Sequence, residues 1–262
     1  MAQKSYFSQA EGLKGTYPIE NNVKSYRLFR ISESEMKQSL SKAPLEYSTS
    51  TSTISLIVPL PNGTTEVFSI YESPMLSAAI AAQHPEIKTY TGKGKNNSAA
   101  TIRISFTSIG FNAIILGING DAIYFEKTNT LSPENIYISY FGSKAVHPGK
   151  QQNANNKCGA LDKNEEKIKK SMDDIITNRT NTTTNTGGTL RTFRLAMAAT
   201  AEFTAAKGGG NVNTAFNALV AYVNRMIAVY KVELSVSFTL VSGTNLVYTT
   251  IGVPYTNSNQ TL

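Results

Sequence analysis

The chain has 262 residues, 40% of them hydrophobic, a net charge of +7, one cysteine and no tryptophan. That apolar content excludes wholesale disorder, no apolar run reaches the roughly 18 residues of a membrane-spanning helix, and a single thiol excludes an intrachain disulfide. The basic residues are scattered singly, apart from Lys163–Lys170 where Glu165 and Glu166 dilute them, so the excess charge reads as a solvated surface and not as a nucleic-acid footprint.

The first 45 residues are weakly patterned, with loose alternation over Val23–Ile31 predicting a strand. Ser32-Glu-Ser-Glu predicts a capped short helix, Ser34–Ser41, stopped by Pro44. Ser52–Leu60 and Thr65–Tyr71 alternate around Pro61-Asn62-Gly63, which predicts a hairpin. Ser73-Pro-Met-Leu-Ser-Ala-Ala-Ile-Ala-Ala-Gln-His predicts a helix with proline in its first turn, ended by Pro85. Short strands follow at Ile87–Tyr90, Ala100–Thr107, Gly110–Ile118, Ala122–Glu126 and Ile136–Phe141, with Asn119-Gly120-Asp121 as a tight turn. Composition then shifts: Glu165–Ile176 reads as a charged helix, and Asn178–Thr189 is a Thr/Asn/Gly run that reads as a linker.

Beyond the linker the pattern changes. Leu190–Ala199 reads as a strand and Leu234–Val241 as another. Between them runs a helix of about residues 213–231, capped by Asn213, with an apolar stripe of Phe216, Leu219, Val220, Val223, Met226, Ile227 and Tyr230. This β-α-β order is the unit of a parallel sheet. Such a sheet needs further strands, so the unit is expected to be incomplete.

Two stretches resemble the reprolysin-like (adamalysin) zinc peptidases of bacterial secreted type. The first comprises Val58-Pro-Leu-Pro-Asn-Gly, Tyr71-Glu-Ser-Pro-Met-Leu, His84-Pro-Glu-Ile-Lys-Thr-Tyr-Thr-Gly-Lys-Gly and Ile136-Tyr-Ile-Ser-Tyr-Phe, and is similar to the family's propeptide. The second, Leu190-Arg-Thr-Phe-Arg-Leu-Ala-Met-Ala-Ala-Thr-Ala-Glu-Phe with the helix carrying Val223-Asn-Arg-Met226, is similar to the start of its catalytic domain. The resemblance implies an α+β organisation: a β-rich propeptide domain over residues 1–160, a linker with a maturation region over 161–189, and over 190–262 the truncated β-α-β opening of a metzincin-like α/β domain.

The family's chemistry rests on H-E-x-x-H-x-x-G-x-x-H, in which three histidines hold zinc and the glutamate serves as base toward the bound water. This sequence has no such motif, and its two histidines, His84 and His147, read as surface or packing residues. No catalytic residue is assigned. Cys158, in Asn-Lys-Cys-Gly-Ala-Leu, is similar to the family's cysteine switch. There a thiolate takes the open position on the catalytic zinc and keeps the zymogen latent; a lone thiol without a role is the competing reading. Lys169, Lys170 and Arg179 mark a candidate maturation region, because basic residues in a flexible linker are where processing proteases cut. Gly92-Lys-Gly-Lys95 lacks the P-loop pattern, and Gly208-Gly-Gly210 reads as a turn before the helix.

The reading is therefore an N-terminal fragment of a secreted zinc metalloendopeptidase precursor, inactive alone. Zinc belongs to the full-length enzyme, with none expected on this chain. The partners implied are its own or a related peptidase domain and, for the intact enzyme, protein substrates; nucleic acid and a membrane span are not expected. Extracellular location follows from the resemblance, since no signal core begins the chain. The alternative is a stand-alone propeptide-like module that binds or inhibits a related peptidase.

Overall fold

A computed structural model describes residues 5–10, 23–129, 135–145 and 189–251. Nine strands form one antiparallel sheet: β1 (Phe7–Gln9), β2 (Arg27–Ile31), β3 (Ser55–Pro59), β4 (Thr65–Glu72), β5 (Lys88–Gly94), β6 (Thr101–Thr107), β7 (Gly110–Ile118), β8 (Asp121–Lys127) and β9 (Ile136–Phe141). Their spatial order is β1-β2-β9-β8-β7-β6-β5-β4-β3. The sheet curls into a nearly closed barrel. Phe29 and Ile31 of β2 share one core with Leu56 and Val58 of β3, although these strands stand near opposite edges of the sheet. Helix α1 (Glu33–Leu40) plugs this core with Met36 and Leu40, both fully buried.

Alternation along the strands explains which side chains go inside. Ile102, Ile104 and Phe106 of β6 and Phe111, Ala113 and Ile115 of β7 belong to the barrel core. The intervening Arg103, Ser105, Thr107 and Asn112 therefore point outward, yet they too are buried. Gly92 of β5 sits where the strands crowd: a Cβ there would lie 2.7 Å from Ile70 Cδ1 and 2.8 Å from Ile102 Cγ2. Packing inside the barrel thus accounts for a glycine in the Gly92–Lys95 run.

What covers the outward face is the C-terminal region. It contains β10 (Arg191–Leu195), α3 (Ala201–Gly208), α4 (Val212–Leu234) and β11 (Val236–Leu240), after the short helix α2 (Ala78–Gln83) earlier in the chain. β10 and β11 pair in parallel, Arg191 opposite Val236 through Leu195 opposite Leu240. The cap of α4 is Asn211, whose side chain accepts from Thr214 N at 3.0 Å, and not Asn213, which lies inside the helix. Helix α3 was not expected from the pattern; Thr200 caps its start, and Gly209 ends it in the left-handed conformation at φ 59°.

These observations correct the expected fold class. The described residues are β-rich, dominated by the nine-stranded barrel with few helices, and are not an α+β pairing of a propeptide with a metzincin-like α/β unit. The physical reason lies in α4, which is buried on two faces. One face, Phe216, Leu219, Val220, Val223 and Ile227, packs in a second core with Leu240. The other, Asn217, Asn224 and Arg225, lies against β6, β7 and β8. The barrel supplies the surface that further parallel strands were expected to supply.

A second difference concerns residues 73–77. The expected helix begins only at Ala78, with Ser77 as its cap. The backbone before it is recruited by β11: Leu240 N donates to Met75 O at 2.7 Å and Ser77 N donates to Leu240 O at 2.9 Å. Leu76 and Leu240 form a parallel bridge.

Candidate functional site

The junction between barrel and C-terminal region holds the chemically unusual groups of the described residues. It has an apolar part, a polar part and a cleft. In the apolar part, Met75, Ile80 and Ile87 from the barrel segment join Phe216, Leu219, Val220, Val223, Ile227 and Leu240 in one cluster. Met75 is 2% exposed. His84 closes this part, its ring centroid 4.8 Å from that of Phe216 and its Nδ1 3.4 Å from Glu86 Oε1. It is a packing histidine.

In the polar part, α4 lies on the outer face of β6–β8. Arg225 Nη2 donates to Glu126 Oε2 at 2.8 Å and to Asn112 Oδ1 at 3.2 Å, and its guanidinium lies 5.5 Å from the Tyr124 ring centroid. Burial works against the Arg225 charge, but Glu126 outweighs it and holds the pKa above its ordinary value. The same carboxylate accepts from Tyr140 Oη at 2.9 Å. Asn217 Nδ2 donates to Ser108 Oγ at 2.7 Å, and Arg103 Nε donates to Asn224 Oδ1 at 3.0 Å.

The seam is incompletely satisfied. Buried side-chain atoms without a partner among the described residues are Ser105 Oγ, Asn112 Nδ2, Asn217 Oδ1 and Arg225 Nε, all in the seam, and Ser139 Oγ on β9. The contact is polar and directional.

At the end of α4 the seam opens into a cleft of about 460 Å³. Barrel residues Tyr71, Gly92, Lys93 and Arg103 and helix residues Ala228, Lys231 and Val232 line it, with the 46–51 loop as its rim. Glu46 accepts from Lys231 Nζ and from Ser73 Oγ, the latter at 2.6 Å. Burial alone would raise the Glu46 pKa, but those hydrogen bonds, with the charges of Lys231 and Arg103, hold it below the ordinary value. Burial pushes Arg103 down to about 10, opposed by Glu46 and Tyr47.

Of the residues singled out from sequence, His84, Gly92 and the apolar stripe of α4 fall in this junction, and the candidate switch and maturation residues do not lie among the described ones. Cys158, Lys169, Lys170, Arg179 and His147 lie outside the described residues. Among the described residues no group of three or more His, Cys, Asp or Glu side chains is placed to hold a metal ion. Sequence reasoning missed Arg103, Asn217, Asn224, Arg225, Glu126, Glu46 and Lys231. A signal was present: Arg103 interrupts Ile102–Phe106, Asn112 interrupts Phe111–Ile115, and Asn217, Asn224 and Arg225 recur at helical spacing.

Among the described residues no helix is long and apolar enough to cross a membrane. No family model matches the chain, and no curated protein matches it.

Proposed function

We propose that the chain is part of the precursor of a secreted zinc metalloendopeptidase, with the barrel as a folding template for the segment that follows it. The observation that carries this reading is the shared second core: Met75, Ile80 and Ile87 of the barrel side complete the packing around Phe216 and Leu240, and residues 75–77 pair with β11. A C-terminal segment lacking these groups has an open core and, since β11 stays paired with β10, one bare edge on β11. The Tyr71–Leu76 and His84–Gly94 stretches, which carry the propeptide resemblance, border this junction.

The polar seam supports the same reading. Contacts between parts that separate are more polar than permanent cores, and a propeptide must be released after it has acted. Release follows cleavage in 161–189, where Lys169, Lys170 and Arg179 are the candidate positions. Latency in the full-length precursor is assigned to Cys158 as a thiolate ligand of the peptidase zinc. Protein substrates and the extracellular location belong to the intact enzyme and rest on the resemblance.

The test is to cut the purified chain within 161–189, unfold the two pieces, and follow refolding of the C-terminal piece by amide exchange. Recovery only when the barrel piece is present is expected. Recovery alone, at the same rate and to the same protection, overturns the template role. Incubation of the uncut chain with zinc and casein is expected to yield no cleavage.

A further inference from the structure

The cleft at the end of α4 contains a cation whose hydrogen-bonding capacity the described residues use only in part. Arg103 is 4% exposed and lines the cleft. Its Nε is fixed by Asn224. Among the described residues neither terminal nitrogen has a protein acceptor within hydrogen-bond distance, because the nearby Glu46 is taken up by Lys231 and Ser73. Glu46 acts on the Arg103 charge through space but makes no hydrogen bond to it among the described residues, so the guanidinium edge is open to the cleft. The fork it presents is the geometry that grips a planar carboxylate through two parallel hydrogen bonds.

The rest of the cleft agrees with one guest charge. Lys231 is ion-paired with Glu46, which leaves Arg103 and the exposed Lys93 as the cations on its walls that form no ion pair within 4 Å among the described residues. Glu46 on the same wall disfavours a guest with two negative charges. Gly92, Ala228 and Val232 offer an apolar floor, and the 460 Å³ volume lies within the usual range of small-ligand sites. At the rim, Tyr47 is exposed yet held at φ 66°, a conformation non-glycine residues rarely adopt. Lys231 Nζ lies 4.9 Å from its ring centroid. Backbone held this way around a concavity is a mark of binding sites.

We infer that this cleft is a binding site for a monocarboxylate on an amino-acid-sized body, gripped by Arg103 with support from Lys93. Because its walls come from both the barrel and α4, an occupant also fastens the two together.

Isothermal titration of the full chain with N-acetylglycine tests this, with neutral N-acetylglycinamide and inorganic phosphate as separate arms. Saturable one-to-one binding of N-acetylglycine is expected, weakened about tenfold or more for the amide, which corresponds to roughly 1.4 kcal/mol. Arg103→Lys, which keeps the charge and loses the fork, is expected to weaken binding about tenfold. Lys93→Gln, at an exposed position that leaves the fold intact, is expected to weaken it about two- to threefold. Absence of saturation, equal binding of the amide, tighter binding of phosphate, or an unchanged affinity in Lys93→Gln would each overturn the assignment. The Lys93 variant decides the matter if Arg103→Lys fails to fold.

Discussion

Strands β6 and β7 serve two interfaces that are built in opposite ways. On their inner side Phe106 and Phe111 join Phe7, Phe29 and Phe125, with ring centroids 5.4–6.3 Å apart in edge-on and tilted arrangements. On their outer side, one residue further along, Arg103 and Asn112 meet Asn224 and Arg225 of α4, and Ser108 of the turn between the two strands meets Asn217. Aromatic packing of the first kind is strong and tolerant of small shifts. The second kind is directional and gives a defined fit. The difference teaches that two surfaces of similar burial have unequal permanence: the barrel interior holds the molecule together, and the seam determines how the C-terminal region lies on it.

The comparison breaks most severely if a core aromatic is removed. Phe111→Ala is expected to destabilise the whole described structure by about 3–5 kcal/mol, since this fully buried ring touches Phe7, Phe106, Phe125 and Tyr137. Denaturant titration checks it, and loss of α4 with retention of the barrel would contradict the ranking. Met75→Ala should cost about 2–3 kcal/mol. Amide exchange should then speed up in α4 and β11 while β6 and β7 stay protected. A smaller effect is expected for Asn211→Ala, which removes the cap of α4 and costs about 1 kcal/mol. Calorimetry should register it as a modest fall in the melting temperature of the C-terminal region.

Acid gives the mildest perturbation. The folded-state pKa of Glu46 lies below its ordinary 4.5, so its contribution is present above that value and is lost as pH falls through the lowered folded pKa. Exchange in the last turns of α4 should rise over that acidic window and not between pH 5 and 7. In Lys231→Met the dependence should flatten, because the hydrogen bond and charge that depress the pKa are gone.

The barrel half was legible wherever one physical signal sufficed. Alternation located β7 and β9 to the residue, and Pro61-Asn62-Gly63 located the β3–β4 turn. The apolar stripe of α4 was also readable. Its opposite face was not, because Asn217, Asn224 and Arg225 look like solvent-facing residues until a partner surface with Arg103, Asn112 and Glu126 is known. That partner lies about 100 residues away in sequence. Residues 73–77 misled for the same reason: their local pattern favours a helix, and the edge of β11, distant in the chain, claims their backbone instead. The fold class failed as a consequence, since the α/β reading supposed that α4 had only its own sheet to cover.

The pairing of residues 75–77 with β11 has a consequence for the chain's behaviour in company. While it stands, the amide and carbonyl of Leu240 are occupied and that strand offers another molecule no hydrogen-bonding ladder there. Pulled away, the same strand becomes a bare template flanked by the apolar vacancies that Met75, Ile80 and Ile87 had filled, the combination from which chains zip into clumps. The barrel is therefore a guard against self-association as well as a scaffold, and its departure must coincide with the arrival of something else to cover that edge.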